Sequence, residues 1–339
     1  MHELFLRRCL QLAVRAAGHT APNPLVGAVV VHNGRIIAEG WHMHYGGPHA
    51  EVHAIRAVAD RSLLPHCTLY VNLEPCCHYG KTPPCTNLIL ESGIRNIVAG
   101  PADPSPQVGG KGFEQLLRSG CALITDVLHE ECRQLNRRFY TFHEKSRPYV
   151  VLKWAQSADG FLGRRGERTP LSSEAAQVLA HRWRSEEAAV LVGTQTALVD
   201  NPQLTVRLWR GRQPMRIVLD RHGRLPHALH LFDGSAPTLL VTENPLAKPP
   251  HAEPLILPFE RLLPALLEAL WQRGVLSLLV EGGSRLLQAF LDHGLWDEAR
   301  QLVSPVRLGD GVAAPVIHAA ATEEHEICAD RLFLYRNSS

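Results

Sequence analysis

His49-Ala50-Glu51 and, further along, Pro75-Cys76-Cys77-His78-Tyr79-Gly80-Lys81-Thr82-Pro83-Pro84-Cys85 are the stretches from which the rest of the chain is read. One imidazole and two thiolates form a donor set that zinc favours. A catalytic site keeps a fourth position open for water, whereas a structural site recruits a fourth protein ligand. Glu51, two residues from the histidine, is the discriminating feature: a carboxylate beside the metal but off it works as acid and base, moving protons to a leaving group. A structural site with His53 or His78 as fourth ligand leaves Glu51 without a task. Cys77 is either a replacement for Cys76 in the coordination sphere or a small packing residue.

The segments around these residues alternate in kind. Residues 25–31 are a β-branched run ending at His32-Asn33-Gly34, a turn signal that predicts a hairpin into residues 35–40. After Gly46-Gly47-Pro48, apolar Val52, Ile55 and Ala59 recur at helical spacing, which puts His49 at a helix N-terminus. Strands are expected at 68–73 and 94–99, and helices at 84–93, 113–118 and 129–141. The polar break Glu144-Lys145-Ser146-Arg147-Pro148 marks a boundary, giving domains at 1–145 and 146–339. Beyond it, residues 149–154, 188–192, 216–219, 237–241 and 276–280 are apolar runs of strand length. Several lead into helix-like segments, and a short strand is expected within the Pro-rich residues 244–258. Both halves read as α/β.

Composition narrows the class. Across 339 residues, 35 Lys+Arg against 33 Asp+Glu leave a formal charge of +2, too balanced for a chain whose work is neutralising nucleic-acid phosphates. No apolar stretch approaches the ~18 residues of a membrane span, so no membrane role is expected. Residues 4–16 show helical apolar spacing around Arg7, Arg8 and Arg15, and read as a first helix instead of a signal peptide. Eight scattered cysteines in a chain with ample apolar content predict free thiols and a cytoplasmic location, not a disulfide framework. The apolar strands of the second half suggest a homo-oligomer, dimer or tetramer.

His49-Ala50-Glu51 followed by Pro75-Cys76 resembles the zinc-deaminase signature, with a longer gap between the two cysteines than the general motif has. That gap, with Leu73-Glu74-Pro75-Cys76-Cys77-His78-Tyr79-Gly80-Lys81-Thr82-Pro83-Pro84-Cys85 and the opening Asn23-Pro24-Leu25-Val26-Gly27, resembles the bifunctional deaminase/reductase family of riboflavin biosynthesis. The resemblance implies a cytidine-deaminase-like α/β/α domain in which His49, Cys76 and Cys85 hold Zn2+ and Glu51 shuttles protons. It places Asn23, His42, Lys81 and Asp103 in the substrate pocket. Glu74 is expected to support the local fold.

In the second half Val280-Glu281-Gly282-Gly283-Ser284 joins a strand to a helix-like run. Read alone, it is either a turn admitting a cofactor phosphate or an ordinary one. Lys153-Trp154-Ala155-Gln156-Ser157-Ala158-Asp159-Gly160, then Gly193-Thr194-Gln195-Thr196, then Asp200-Asn201-Pro202-Gln203-Leu204-Thr205-Val206-Arg207, then Glu281-Gly282-Gly283-Ser284 follow the order of the same family's reductase domain, which is dihydrofolate-reductase-like. The resemblance implies NADPH contacts from Ala155, Thr196, Asp200, Gly283, Ser284, Arg285, Leu286, Leu287, Gln288 and Ala289. It implies contacts to a phosphoribosylated pyrimidine from Arg184, Leu204, Arg207 and Glu281, with Lys153 near the substrate or merely ending a strand. The chain departs from the family at Gly166-Glu167-Arg168-Thr169-Pro170, where a serine and a tryptophan are missing; Arg168 is a candidate compensating phosphate contact. Two rivals are carried: a nucleic-acid base deaminase with an accessory domain, and a deaminase whose reductase half is degenerate.

Overall fold

A computed structural model describes residues 1–80 and 83–337, and the chain divides into two compact units, Met1–Lys145 and Ser146–Ser339. The first unit contains strands β1 (Gly27–His32), β2 (Arg35–Trp41), β3 (Thr68–Val71), β4 (Asn96–Ala99) and β5 (Ala122–Ile124). Its helices are α1 (His2–Val14), α2 (Ala50–Arg56), α3 (Cys85–Glu91), α4 (Lys111–Arg118), α5 (His129–Leu135) and α6 (Arg137–Glu144). The sheet order is β2-β1-β3-β4-β5, antiparallel through β3 and parallel beyond it. Asn33 and Gly34 both take positive φ, as the two-residue hairpin turn between β1 and β2 requires.

Strand alternation builds three layers. Ala28 and Val30 face a core shared with Ala54 and Ile55 of α2, Ile89 of α3 and Leu116 of α4. Val29 and Val31 face the opposite core with Phe5, Leu6, Cys9 and Leu12 of α1. Residues expected to form one helix, 129–141, form two, α5 and α6. The break is at Asn136, whose buried amide accepts from the Leu25 N–H at 2.7 Å and donates to the Leu25 carbonyl at 2.9 Å.

In the second unit the strands are β6 (Tyr149–Gln156), β7 (Phe161–Gly163), β8 (Ala189–Val192), β9 (Met215–Leu219), β10 (Thr238–Thr242), β11 (Glu253–Ile256), β12 (Ser277–Val280), β13 (Glu298–Val303), β14 (Val312–Ala313), β15 (Glu323–Ile327) and β16 (Asp330–Arg336). The helices are α7 (Glu174–Glu186), α8 (Thr194–Asp200), α9 (Leu262–Gln272) and α10 (Ser284–Asp292). A nine-stranded sheet runs β11-β10-β9-β8-β12-β6-β13-β16-β15, parallel from β11 to β13 and antiparallel at β16 and β15. Leucines of α9 with Leu287 and Phe290 of α10 cover one face. Ala176, Ala180 and Trp183 of α7 with Ala197 of α8 cover the other. The central strands are apolar without alternation because both faces are buried.

Candidate active sites

In the first unit, α2 begins immediately after His49 and α3 begins at Cys85, so two helix starts bring their first residues toward the Cys76 turn. His49 Nδ1 lies 3.4 Å from Cys76 Sγ and 3.3 Å from Cys85 Sγ, and the three donor atoms all fall within 4.8 Å of one another. Tetrahedral zinc with the usual Zn–N and Zn–S bonds sets such donors about 3.5 Å apart, so these residues fit that ion. Cys77, His53 and His78 are not part of the donor group found among the described residues. Cys77 is half-buried, and burial pushes its thiol up.

The Cys76 thiol is pulled down to about 4, first by hydrogen bonding with Cys85 and then by His49. The N–H of Cys85 also donates to it at 3.4 Å. Glu51, in the first turn of α2, is 3% exposed. Burial pushes its carboxyl above the ordinary glutamate range, with His49 opposing. A carboxyl whose proton affinity is raised by burial is better suited to an acid/base role than an ordinary surface glutamate.

His42 is hydrogen-bonded to Asn23. Its Nδ1 lies 3.0 Å from the Pro48 carbonyl, which fixes the proton there, and its Nε2 then accepts from Asn23 Nδ2 at 3.1 Å. Burial holds His42 neutral. With its Nδ2 so engaged, Asn23 has its Oδ1 as an acceptor for a ligand. Glu74 organises the far wall: its two oxygens accept the backbone N–H groups of Asp103 (3.0 Å), Gly110 (2.9 Å), Gly112 (2.8 Å) and Phe113 (3.2 Å). A Cβ on Gly112 would stand 2.1 Å from the Pro75 carbonyl, so glycine lets α4 close on the ligand turn. Asp103, tethered this way, is pushed up to about 7 by burial. Lys81 lies outside the described residues.

In the second unit a cleft of about 1040 Å³ opens at the C-terminal ends of β6, β8 and β12, where open α/β sheets take their ligands. Lys153, Ala155, Arg168, Arg184, Thr196, Asp200, Leu204, Arg207, Glu281, Gly283, Ser284, Arg285 and Leu287 line it. Leu286, Gln288 and Ala289 are outside this lining. Leu286 and Ala289 pack against the α9/α10 core. Gln288 bonds the Val316 backbone and Asp292. Ser284 donates its hydroxyl to the Ala313 carbonyl at 2.6 Å. Gly282 takes φ +154 with the Thr196 hydroxyl 3.2 Å from where a Cβ would be, so glycine lets the β12–α10 turn approach α8.

Glu281 is the electrostatic centre. Arg184 donates to it twice, at 2.5 and 2.7 Å, and Lys153 adds a second cation. Against the burial that would raise it, Arg184 and then Lys153 keep its carboxyl below the ordinary range. Burial, more than any neighbour, lowers Lys153. Arg207 is lowered by burial and then by the like charges of Arg184 and Arg168. Neither Arg207 nor Arg168 forms an ion pair among the described residues. Sequence reasoning passed over His181, which lines the same cleft. Its only signal is the three-residue spacing to Arg184, and that becomes visible once α7 is known to be a helix.

A family model described as the RibD C-terminal domain matches residues 148–325, and one described as the cytidine and deoxycytidylate deaminase zinc-binding region matches residues 1–101. The riboflavin biosynthesis protein RibD of Aquifex aeolicus is 39% identical over 328 residues, covering 94% of this chain and 91% of that one. RibD of Escherichia coli K12 is 34% identical over 327 residues, covering 91% and 88%. Among solved structures, a diaminohydroxyphosphoribosylaminopyrimidine deaminase/5-amino-6-(5-phosphoribosylamino)uracil reductase from Thermotoga maritima superposes with a TM-score of 0.91 at 38% identity, over 99% of this chain and 98% of that chain. Acinetobacter baumannii RibD gives 0.90 at 30% identity, over 100% and 99%.

Proposed function

This chain belongs to the RibD family of riboflavin biosynthesis and is a bifunctional deaminase and reductase, and on that footing we propose how its residues divide the chemistry. Its folds are cytidine-deaminase-like and dihydrofolate-reductase-like. It binds zinc, takes a nicotinamide cofactor and acts on a phosphoribosylated pyrimidine. In the proposal, residues 1–145 hydrolyse the 2-amino group of 2,5-diamino-6-ribosylamino-4(3H)-pyrimidinone 5′-phosphate. Residues 146–339 then reduce the ribosyl side chain to ribityl with NADPH.

Zinc held by His49, Cys76 and Cys85 supplies a Lewis acid that makes water nucleophilic near neutral pH. Glu51 takes one proton from the attacking water and gives it to the ring nitrogen, then takes the remaining proton of the added hydroxyl and gives it to the amine, so that the carbonyl forms as the C–N bond breaks and ammonia leaves. Asn23, its amide fixed by His42, accepts from the pyrimidine through Oδ1. Asp103 and Lys81 are assigned to the same substrate. The observation that carries this half is the meeting of three metal donors beside one buried glutamate.

In the reductase half NADPH supplies the hydride. Ala155, Thr196, Asp200 and residues 283–289 are assigned to the cofactor, and Lys153, Arg168, Arg184, Leu204, Arg207 and Glu281 to the substrate. Within that set Arg184 is occupied by Glu281 and by the Thr205 carbonyl, so its part is to shape the wall. Arg207 and Arg168, which form no ion pair among the described residues, are the guanidinium groups suited to phosphate. This surplus of cations favours ligands bearing phosphates, including the phosphate that distinguishes NADPH from NADH.

All eight cysteines are free, which suits a reducing cytoplasm, and no described helix is long and apolar enough to cross a membrane. A homo-oligomer, dimer or tetramer, stays in the proposal. The apolar strands of the second half are buried in that unit's own core, so sedimentation has to read the assembly. The deciding experiment supplies the diaminopyrimidine phosphate with and without NADPH while following ammonia and cofactor absorbance. Ammonia is expected in both arms, and NADPH oxidation only after deamination. Absence of ammonia from zinc-loaded protein overturns the first half of the proposal. Absence of NADPH oxidation by folded protein overturns the second and leaves a degenerate reductase.

A further inference from the structure

Residues 204–207 carry two of the proposed substrate contacts, Leu204 and Arg207, yet belong to no helix or strand. Buried backbone groups there need partners, and side chains supply them. Arg184 donates to the Thr205 carbonyl at 3.3 Å. Gln213 accepts the Val206 N–H at 2.7 Å and returns its own amide to the Val206 carbonyl at 2.9 Å. The N–H of Arg207 donates to His181 Nδ1 at 3.0 Å. Three consecutive residues are thus held by side chains as a strand is held by its neighbour. The segment is entered through Leu204 at φ +53, a left-handed conformation that a leucine keeps only where its surroundings enforce it.

His181 is 5% exposed and sits on α7 one turn before Arg184. Because Nδ1 accepts, the ring proton is on Nε2. Burial, then the cations Arg184 and Arg207, push its pKa down to about 4, so it remains a neutral acceptor at working pH. The Arg207 guanidinium folds back to donate to the Thr205 hydroxyl at 2.7 Å, so its direction depends on where this backbone lies.

We infer that His181 and Gln213 are positioning residues for the reductase step: they fix the backbone of residues 206 and 207 and thereby aim the Arg207 guanidinium at the anionic group of the substrate. The inference rests on the assignment of Arg207 to the substrate made above.

The test uses the full zinc-loaded chain, the deaminated pyrimidine phosphate and saturating NADPH. His181→Leu removes the acceptor, and His181→Asn keeps one where Nδ1 stood. His181→Leu is expected to raise the substrate KM about ten-fold or more, as loss of a buried hydrogen-bond acceptor does. The NADPH KM should stay within about two-fold, and His181→Asn should recover most of the loss. Gln213→Leu should act in the same direction and covers the case in which His181→Leu does not fold. Arg207→Gln should raise the substrate KM by itself, and adding His181→Leu to it should cost little more, since the two act on one contact. An unchanged KM in both leucine variants, with a raised KM in Arg207→Gln, sinks the inference alone. Equal loss in the Leu and Asn variants, or parallel rises in both KM values, also sinks it. An unchanged KM in Arg207→Gln removes the underlying assignment and the inference with it.

Discussion

The two sites of this chain are built in opposite ways. In the deaminase unit the proposed metal donors come from two short stretches, His49 to Glu51 and Cys76 to Cys85, with His49 and Cys85 at helix starts and Cys76 in the turn facing them. In the reductase unit Lys153, Arg184, Arg207 and Glu281 come from four separate stretches of the chain and meet only when a parallel sheet brings strand ends together. A metal demands fixed donor types at fixed separations, so its residues leave a compact signature. A cleft that holds a cofactor by shape and diffuse charge does not. The deaminase should therefore fail abruptly when one ligand changes, and the reductase by degrees.

The largest effect is expected from Cys85→Ser. Losing one of three donors should strip the zinc and abolish ammonia release, while NADPH oxidation on supplied deaminated substrate continues. Metal content by elemental analysis and the two activities read this directly. If reductase activity falls with the zinc, the contrast between the sites breaks. Glu51→Gln comes next: zinc is retained, and deamination drops by about 10²- to 10⁴-fold, the usual contribution of a positioned acid/base. Unimpaired turnover in that variant rejects the proton-shuttle assignment.

In the second unit Glu281→Gln leaves Arg184 and Lys153 buried without their carboxylate. Removing one partner of a buried ion pair costs about 3 to 5 kcal/mol. The Arg184 and Glu281 side chains are only 14% and 6% exposed, so the unfolding transition of this unit should fall measurably and NADPH oxidation should weaken with it. Unaltered stability would mean that water relaxes into the site and that Glu281 is not its organiser.

What the sequence reveals follows the same contrast. The first helix and the hairpin turned at Asn33-Gly34 are readable because local rules of spacing and turn chemistry fix them, and the clustering of His49, Cys76 and Cys85 is readable through the family resemblance of their motif. The central apolar strands β6, β8, β9, β10 and β12 are readable too, since burial on both faces writes them as continuous runs. β13, β15 and β16 escape notice because they are heavily charged. In β13, Arg300 is 4% exposed and bonded to Glu298 at 2.6 Å, so buried polarity looks like surface sequence. The α5/α6 break depends on Asn136 meeting Leu25, a contact that no local pattern contains. His181 and Gln213 lie in the same category: their partners are backbone atoms of a segment without regular structure.

A smaller effect, on stability alone, is expected from acid. His181 is pushed to about 4 in the folded chain against an ordinary value of 6.5, so between those limits the unfolded state binds the extra proton. Stability of the second unit should therefore fall as pH drops from 6.5 toward 4 and level off below, by at most roughly 3 to 4 kcal/mol in all. His181→Asn has nothing to titrate there and should show that much less acid sensitivity. Identical slopes in the two proteins would place the histidine in a wetter setting than its burial implies.

The mildest effect concerns Arg168, where the sequence is expected to depart from the family pattern. It lines the cleft, and its charge acts on both Asp200 and Arg207. Since Arg168 is exposed, any contact it makes with a phosphate is partly screened. Arg168→Ala should accordingly raise the KM of either the substrate or NADPH by no more than about ten-fold, equivalent to ~1.4 kcal/mol, and leave kcat close to wild type, because binding is lost equally from ground and transition states. Raising the ionic strength should shrink the difference between variant and wild type, as a screened charge requires. Unchanged affinities for both ligands would show that the missing serine and tryptophan are not compensated at this position.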